Sequence, residues 1–369
     1  MSRALDSRLE GLRRLRAWCL RALLSLAGRA WKPGPAAAVE RIVILEMTRL
    51  GDLVAASALF DPLRAAFPGA ALELVGAADY APLFDGAQVR FHGLPARGLA
   101  FCTGLLSLRA VLKGPGVLVV AASPAVRNSL LVLASSPGRA CGYLFPEAGG
   151  LDYDAGAPLR SLGGAWDGRA RLPAGSHMVD RAARVLGVAG LPAGGVSPKL
   201  GSSVPRIPGK VLLHAGANWD RRRWPLDRFV ALARALAARK YAVTLIPAEA
   251  GPVYPEPGLR ILDGPGLKAL RDELASASLF IGNDSGPMHL AAALGTPCLA
   301  LFGPNLVERS GPWPLPGPLS PHRALWEDVP CRPCDQLRCV QPWRWCMDLL
   351  PLQRVEHEAQ NLLNSIPQG

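Results

Sequence analysis

Short apolar runs alternate with amphipathic stretches along most of the chain. Ile42–Leu45, Leu72–Val75 and Val117–Ala121 have the pattern of buried strands, and helical periodicity fills the stretches between them, beginning with 53–67. After residue 209 the alternation restarts, with strands predicted at 211–213, 242–246, 279–281 and 298–302 and helices at 226–239, 267–275 and 287–294. Strands that alternate with helices predict parallel sheets covered by helices on both faces.

A linker is predicted between 190 and 209, where Gly, Pro and Ser dominate and no periodicity survives. The predicted fold class is therefore α/β, with two Rossmann-like doubly wound domains facing a cleft. The predicted parts are an N-terminal segment (1–38), two domains (39–200 and 201–347) and a C-terminal helical segment (348–369). Ligands bind such sheets at the carboxyl ends of the strands, so the loops there are expected to carry the chemistry.

The N-terminal segment has a pattern of its own. Leucines recur at three- and four-residue steps through 1–32, and this segment contains eight basic residues but only two acidic ones. This pattern predicts a basic amphipathic helix, with Trp18 and Trp31 at the margins of its apolar face. Such a helix can lie on an anionic membrane surface, or dock on its own domain or a second subunit, and both alternatives stay open.

Composition narrows the class of protein. Half of the 369 residues are hydrophobic and 19% are charged, which excludes a disordered chain, a collagen-like fibre and a small disulfide scaffold. The net charge of +12 favours anionic partners. No stacking aromatics interleave with the arginines, so no nucleic acid partner is expected. No apolar run reaches the ~18 residues of a membrane span, and the cysteine pattern indicates a reduced, cytoplasmic protein.

The first candidate motif is Leu50-Gly51-Asp52, directly after a predicted strand. Glycine permits a tight turn or a close approach of the backbone to a ligand. Asp52 begins a predicted helix, and its alternative role is that of an N-cap.

The second motif is Gly282-Asn283-Asp284-Ser285-Gly286-Pro287-Met288-His289. Asp284 or Ser285 can cap a helix, and Pro287 suits its first turn, so a helix is expected to start here. The free N–H groups of that turn would bind a diphosphate. Asp284 would repel phosphate, so we expect it to order the loop.

The third motif is Ala215-Gly216-Ala217-Asn218-Trp219-Asp220-Arg221-Arg222-Arg223-Trp224-Pro225, at the carboxyl end of the strand at 211–213. Three consecutive arginines beside small residues fit a clamp on a phosphorylated ligand. The alternative is a solvated basic turn. A G-x-G-x-x-G fingerprint, a P-loop and a nucleophile elbow are all absent from the sequence, and the loop-like Asp152-Tyr153-Asp154 is discounted.

Four cysteines crowd together near the C-terminus, at Cys331, Cys334, Cys339 and Cys346. Four thiolates within such a short segment can enclose a structural zinc or iron ion, although the spacing is not that of a zinc ribbon. Reduced cysteines without metal are the alternative.

Taken together and in this order, the motifs resemble glycosyltransferase family 9, the ADP-heptose:lipopolysaccharide heptosyltransferases. The resemblance covers most of 41–355 and is firmest at 50–54, at 216–219 with 222–225, and at 282–291. The chain departs from the family at Glu46, where arginine is frequent, and at Thr48-Arg49, where a Ser-Ser pair is frequent and arginine is a known variant.

The resemblance implies a GT-B fold whose C-terminal domain holds the nucleotide and whose final helix, at 352–363, crosses back to the N-terminal domain. It implies inverting transfer without a divalent metal. Asp52 stands at the position of the catalytic base and Arg222 at that of a phosphate-binding lysine. Glu249 would bind the ribose. The remaining residues of the implied nucleotide-sugar site are Gly51, Gly216, Ala217, Asn218, Asp284, Ser285, Gly286, Pro287 and His289.

We therefore expect an inverting transferase that moves heptose from ADP-heptose to a lipopolysaccharide core or related envelope glycan, at the cytoplasmic face of the inner membrane. A lipid-linked acceptor and an anionic membrane surface fit the basic N-terminal helix, no cofactor is needed for catalysis, and a homo-oligomer is left open. One alternative is a protein O-heptosyltransferase with the same donor. Another is a non-catalytic nucleotide-sugar-binding protein that assembles envelope enzymes, in which Asp52 would be dispensable.

Overall fold

A computed structural model of the protein describes residues 38–85, 87–95, 104, 108, 110–123, 128, 131–132, 137–144, 168–171, 176–188, 190–192, 194–248, 255–334, 339, 341 and 343–366. These residues form two compact units. The first comprises the described residues up to Thr48, those of Ala58–Ser176 and those of Asp180–Val196; the second comprises Arg49–Ser57, His177–Val179 and the described residues from Ser197 onward. The predicted N-terminal helix lies outside the described residues.

The first unit is built on a six-stranded parallel sheet in the order β3-β2-β1-β4-β5-β6. Its strands are β1 (Arg41–Leu45), β2 (Ala71–Ala77), β3 (Arg90–Leu94), β4 (Gly114–Ala121), β5 (Pro137–Leu144) and β6 (Gly168–Arg171). The chain leaves β1 through helix α1 (Leu50–Ala56), a 3₁₀ turn (Ser57–Leu59) and helix α2 (Phe60–Ala66). A further 3₁₀ helix spans Ala78–Leu83, and helix α3 (Met178–Val188) comes after β6.

The second unit repeats this arrangement in the order β12-β11-β10-β7-β8-β9, and its strand pairs are parallel. Its strands are β7 (Lys210–His214), β8 (Ala242–Ile246), β9 (Leu259–Ile261), β10 (Leu279–Asn283), β11 (Cys298–Leu301) and β12 (Arg323–Leu325). Its helices are a 3₁₀ turn (Asp220–Arg222), α4 (Leu226–Ala238), α5 (Leu267–Ser276), α6 (Gly286–Ala293), α7 (Val307–Ser310), α8 (Trp345–Asp348) and α9 (Leu352–Ser365). Counted within each unit, both orders are those of a Rossmann sheet.

The central strands form the cores. In β1 the apolar residues after Arg41 are fully buried and pair with β2 on one side and β4 on the other. All five residues of β10 are likewise buried, because helices cover both faces of a parallel sheet. The α/β fold class predicted from the alternation is therefore confirmed.

Two segments differ from the predicted domain organisation. Helix α1, placed in the first domain by its position in the chain, packs on α6 and belongs to the second unit. Helix α9 buries Val355, Ala359 and Leu362 in the core of the second unit, whereas the resemblance predicts packing on the N-terminal domain. Both differences have the same cause: the apolar and small side chains of these helices match a face of the second unit.

A search of the described helices finds none that is both long enough and apolar enough to span a membrane.

Candidate functional site

The strand order of the second sheet reverses between β7 and β10, which lie side by side. In doubly wound sheets ligands bind at this reversal, beyond the carboxyl ends of the strands. The motif at 215–225 follows β7, and the motif at 284–289 follows β10. The second unit therefore brings two of the three predicted motifs to one edge of its sheet.

Asn283 joins the two loops. Its side chain is fully buried, its Nδ2 donates a hydrogen bond to the carbonyl oxygen of Ala215 at 2.8 Å, and its Oδ1 accepts one from the amide of Trp224 at 2.9 Å. The buried indole of Trp224 donates in turn to the carbonyl oxygen of Leu350 at 3.0 Å. Both ends of the arginine-bearing loop are thus tied to the core, which fixes the arginines between them.

Helix α6 begins at this edge with an open N-terminus. Ser285 is the N-cap residue, but its side chain makes no capping hydrogen bond. Its Oγ is buried and has no hydrogen-bond partner among the described residues. Pro287 occupies the first turn, where the missing N–H costs nothing. The remaining N–H groups and the helix dipole attract an anion.

The first turn of α1 packs directly on the first turn of α6. A Cβ atom added to Gly51 would lie 2.8 Å from Cδ2 of His289, and one added to Gly286 would lie 2.8 Å from Cδ2 of Leu50. Both positions require glycine because any side chain would push the helices apart. The Leu50-Gly51-Asp52 motif thereby joins the other two motifs in one site, across more than two hundred residues of sequence.

This close approach predicts a stability effect. Gly51→Ala should lower the free energy of unfolding by about 1–3 kcal/mol, because the new methyl group displaces the imidazole of His289. Gly201→Ala is the matched control, since a Cβ atom there meets nothing within 4 Å. Chemical denaturation measures both variants. Equal midpoints for the two would contradict the packing described.

Asp52 lies in the first turn of α1 and is half-buried. The N-cap position belongs to Arg49, so the alternative role of Asp52 as an N-cap is wrong. Within the described part of the chain, no side chain or backbone group is bonded to the Asp52 carboxylate. A partly exposed carboxylate without a fixed partner can accept a proton from a bound molecule.

Arg222 and Asp284 form an ion pair beside this helix end, with Nη1 and Oδ2 3.3 Å apart. The same Asp284 oxygen accepts a hydrogen bond from Nδ2 of Asn305 at 2.6 Å. Burial raises the pKa of Asp284, although the positive charge of Arg222 acts in the opposite direction. Burial likewise lowers the pKa of Arg222, although the negative charge of Asp284 acts in the opposite direction. Asp284 therefore orients the guanidinium group, in keeping with its predicted task of ordering the loop.

Trp219 lies at the centre of a cluster of cations. The guanidinium carbons of Arg222, Arg221 and Arg49 lie 4.3, 4.8 and 5.1 Å from the centroid of its ring. Cation–π contacts of this length hold the three side chains on the indole. The arginines are therefore part of a built surface, which disfavours the alternative of a solvated basic turn.

The remaining predicted residues lie around this centre or outside the described chain. A Cβ atom on Gly216 would lie 2.7 Å from Cε1 of His214, the carbonyl oxygen of Ala217 accepts a hydrogen bond from Nε of Arg223 at 3.0 Å, and Asn218 is exposed. Glu249, the predicted ribose ligand, falls outside the described residues.

His289 is uncharged at neutral pH. Burial lowers its pKa to about 3, and the nearby charges of His177 and Arg222 contribute in the same direction. The imidazole can therefore donate or accept a hydrogen bond to a ligand, but it does not supply a cation.

Two imidazoles, those of the half-buried His214 and the buried His322, predict that acid destabilises the second unit. Burial lowers the pKa of His214 and of His322 to about 4, from the 6.5 of a free side chain. Because these pKa values are lower in the folded protein than in the unfolded chain, the stabilisation is fully present above pH 6.5. Below that pH the unfolded chain binds protons that the folded protein does not, so the free energy of unfolding falls. At pH 5 each of these two histidines should cost about 2 kcal/mol. Thermal unfolding between pH 7.5 and 5 measures the loss, and an unchanged Tm would contradict it.

The four cysteines do not form a metal site as they are placed here. Among the described residues there is no group of three or more His, Cys, Asp and Glu side chains that could hold a metal ion. All four thiols are free. Burial raises the pKa of Cys346 to about 11, and the neighbouring Cys331, Cys339 and Cys334 contribute to the shift. The predicted zinc or iron site is therefore not supported by this geometry, although the thiols are near enough to interact electrostatically.

The sequence analysis missed the part that three residues play in the site. Asn283 and Asn305 hold the loop and Asp284, and Arg49 extends the cation cluster. A polar residue at the end of an apolar strand was the available signal for Asn283. The position of Arg49, one residue before a predicted helix, carried no signal for its contact with Trp219.

Parts of the chain match known proteins. Residues 169–341 match the model of glycosyltransferase family 9 (heptosyltransferase). The chain is 36% identical over 99 residues to lipooligosaccharide heptosyltransferase 2 of Campylobacter jejuni, covering 27% of this chain and 30% of the relative. It is 30% identical over 174 residues to lipopolysaccharide heptosyltransferase 1 of Pseudomonas aeruginosa, covering 45% of this chain and 47% of the relative. The alignments thus span less than half the length of these relatives.

The solved structure of ADP-heptose lps heptosyltransferase II from E. coli superposes with a TM-score of 0.64 at 20% identity, covering 88% of this chain and 98% of that one. The fold is therefore that of the GT-B glycosyltransferases, as predicted. The matching family model covers residues 169–341, just under half of the chain, and this part of the chain is similar to glycosyltransferase family 9 and to the heptosyltransferases named above.

Proposed function

We propose that this protein transfers heptose from ADP-heptose to the lipopolysaccharide core or a related envelope glycan, with inversion at the anomeric carbon. The observation that carries the proposal is the contact between the first turns of α1 and α6, which brings the carboxylate-bearing turn to an anion-binding helix end beside Arg222. ADP-heptose is named for the E. coli relative of the same fold. That name supports this donor over other nucleotide sugars.

In the proposed reaction the Asp52 carboxylate takes the proton of an acceptor hydroxyl as its oxygen attacks the anomeric carbon. The new glycosidic bond forms as the bond between that carbon and the diphosphate oxygen breaks, so the configuration inverts. The leaving β-phosphate gains one negative charge. The guanidinium group of Arg222 and the N–H groups of the first turn of α6 are oriented before reaction and stabilise that charge.

A panel of acceptors tests the proposal and separates its alternatives. With ADP-heptose as donor, deep-truncated lipopolysaccharide should become heptosylated, and nuclear magnetic resonance of the product should show the inverted anomeric configuration. Heptose on the serine hydroxyls of a protein acceptor, with the lipopolysaccharide unchanged, would instead establish protein O-heptosylation. Tight ADP binding without transfer to any acceptor would favour a non-catalytic nucleotide-sugar-binding protein.

The site of action is part of the same proposal. The basic pattern of 1–32 supports peripheral binding to the anionic inner face of the inner membrane, from the cytoplasm, where a lipid-linked acceptor would be presented. Homo-oligomerisation through the same segment is the competing assignment. Sedimentation with anionic and with neutral vesicles distinguishes the two assignments.

A structural metal at Cys331, Cys334, Cys339 and Cys346 is a separate proposal, supported by their spacing in the sequence. Binding would require the thiols to move from their present placement, and no catalytic step uses the ion. Protein purified under reducing conditions should contain about one zinc or iron ion per chain and lose stability with a chelator. A protein that is free of metal and insensitive to chelation would contradict it.

A further inference from the structure

Arg49 lies next to both the first turn of α1 and the arginine-bearing loop of the second unit. It is the N-cap residue of α1, three positions before Asp52. The next residue, Leu50, packs on Gly286 in the first turn of α6, so Arg49 immediately precedes the contact between the first turns of the two helices. Its guanidinium carbon lies 5.1 Å from the centroid of the Trp219 ring. The residue thereby links the turn that bears the proposed base with the loop that bears the arginines.

The positively charged guanidinium groups around Trp219 repel one another. The guanidinium groups of Arg49 and Arg222 each lie about 5 Å from the same ring centroid, so they are within about 10 Å of each other. The pKa of Arg222 is lowered by burial first, and the charges of Arg221 and Arg49 contribute to this shift. Such repulsion is relieved when an anion with more than one charge binds between the cations.

Nearby groups favour the same kind of anion. The first turn of α6 offers backbone N–H groups and the buried, unpartnered Oγ of Ser285. His289, which packs on Gly51, is uncharged at neutral pH and adds no cation of its own. The arginines around Trp219 supply positive charge next to these groups.

We propose that Arg49, held on the face of Trp219, binds the terminal phosphate of the nucleoside diphosphate and stabilises it as the leaving group. The inference rests on the proposed function, because it assumes that a nucleoside diphosphate occupies this site. Arg222 neutralises the diphosphate from the loop after β7, and Arg49 does so from the N-terminus of α1. Trp219 is a positioning residue that acts through both arginines.

Arg49 should contribute more to catalysis than to binding of the donor. The terminal phosphate gains one negative charge when its bond to the sugar breaks, so a cation beside it binds the transition state more tightly than the intact donor. Removing Arg49 should therefore lower kcat more than it raises the KM of the donor. An arginine that only held the helix in place would affect binding of the whole nucleotide and the stability of the fold together.

Titration calorimetry with ADP and AMP tests the inference. Arg49→Met retains an apolar stem against Trp219 and should weaken ADP binding about 10-fold or more, with AMP binding unchanged within about twofold. Trp219→Leu should produce a similar selective loss, and Trp219→Phe should restore most of the ADP affinity. Arg234→Met is the matched control, because Arg234 is exposed on α4 and pairs with Glu256. The thermal unfolding of each variant is recorded alongside.

Three outcomes would overturn the inference. One is an equal loss of ADP and AMP affinity, and another is unchanged ADP affinity with a raised KM for the acceptor. The third is that the wild-type protein binds none of ADP, GDP, UDP and dTDP. If another nucleoside diphosphate binds in place of ADP with the same dependence on Arg49, the inference stands and only the proposed donor fails.

Discussion

Asn in place of Asp52 is expected to lower kcat for heptosyl transfer by about 10³-fold, while ADP affinity stays within about twofold of the wild type. The amide has nearly the shape of the carboxylate but cannot take the proton of the acceptor hydroxyl. Asp52 is half-buried at the first turn of α1, and no bond to another described group depends on its charge. The variant should therefore fold normally.

The measurement is steady-state ADP release with donor and acceptor both saturating, beside calorimetric ADP binding. Asp61→Asn is the control for removing a first-turn carboxylate, because Asp61 lies in the first turn of the short helix α2 and pairs with Arg64. Transfer by Asp52→Asn at near wild-type rate would remove Asp52 from the role of base and favour the non-catalytic alternative.

The second large effect is expected at Arg222. Arg222→Met removes the cation that is fixed beside the α6 terminus, and should lower kcat about 10²-fold and weaken ADP binding. It also leaves the buried carboxylate of Asp284 without its ion pair, so the Tm should fall. Arg222→Lys keeps the charge and should retain much more activity than Arg222→Met.

The double variant Arg222→Met with Asp284→Asn separates the two causes. Removing the orphaned negative charge should recover the Tm, since Asn can still bond to Asn305. Activity should stay low, because the cation is still missing. Recovery of both properties together would mean that Arg222 serves the fold and has no direct part in transfer.

Most inner strands of the two sheets were predictable from the sequence, because parallel strands buried on both faces are short apolar runs. The inner strand β5 was not, since its sequence, PGRACGYL, contains a proline and two glycines and no continuous apolar run. The edge strands β3, β9 and β12 were not. Their patterns, RFHGL, LRI and RAL, mix polar and apolar residues, since an edge strand is only partly covered. A three-residue strand of this kind carries too little periodicity to separate it from a loop.

Only part of the candidate site was likewise predictable from the sequence. The turns at 50–52 and 284–289 and the arginine loop were predictable, because each follows a strand and carries glycine, a cap or a run of cations. Their mutual contact was not predictable, since it depends on the fit of His289 against Gly51 and of Leu50 against Gly286. The same holds for Arg49 on Trp219, a contact between residues 170 positions apart. Such contacts follow from tertiary packing, which leaves no periodic trace in the sequence.

Heptosyl transfer with Asp52 as the base is tested most directly by the release of ADP from ADP-heptose, measured with and without deep-truncated lipopolysaccharide for the wild type and for Asp52→Asn in parallel. The wild type should release ADP only when the acceptor is present, the acceptor should gain one heptose for each ADP, and Asp52→Asn should release almost none while still binding ADP. Release that does not depend on the acceptor, or equal release by both proteins, would rule out this reaction with Asp52 as its base.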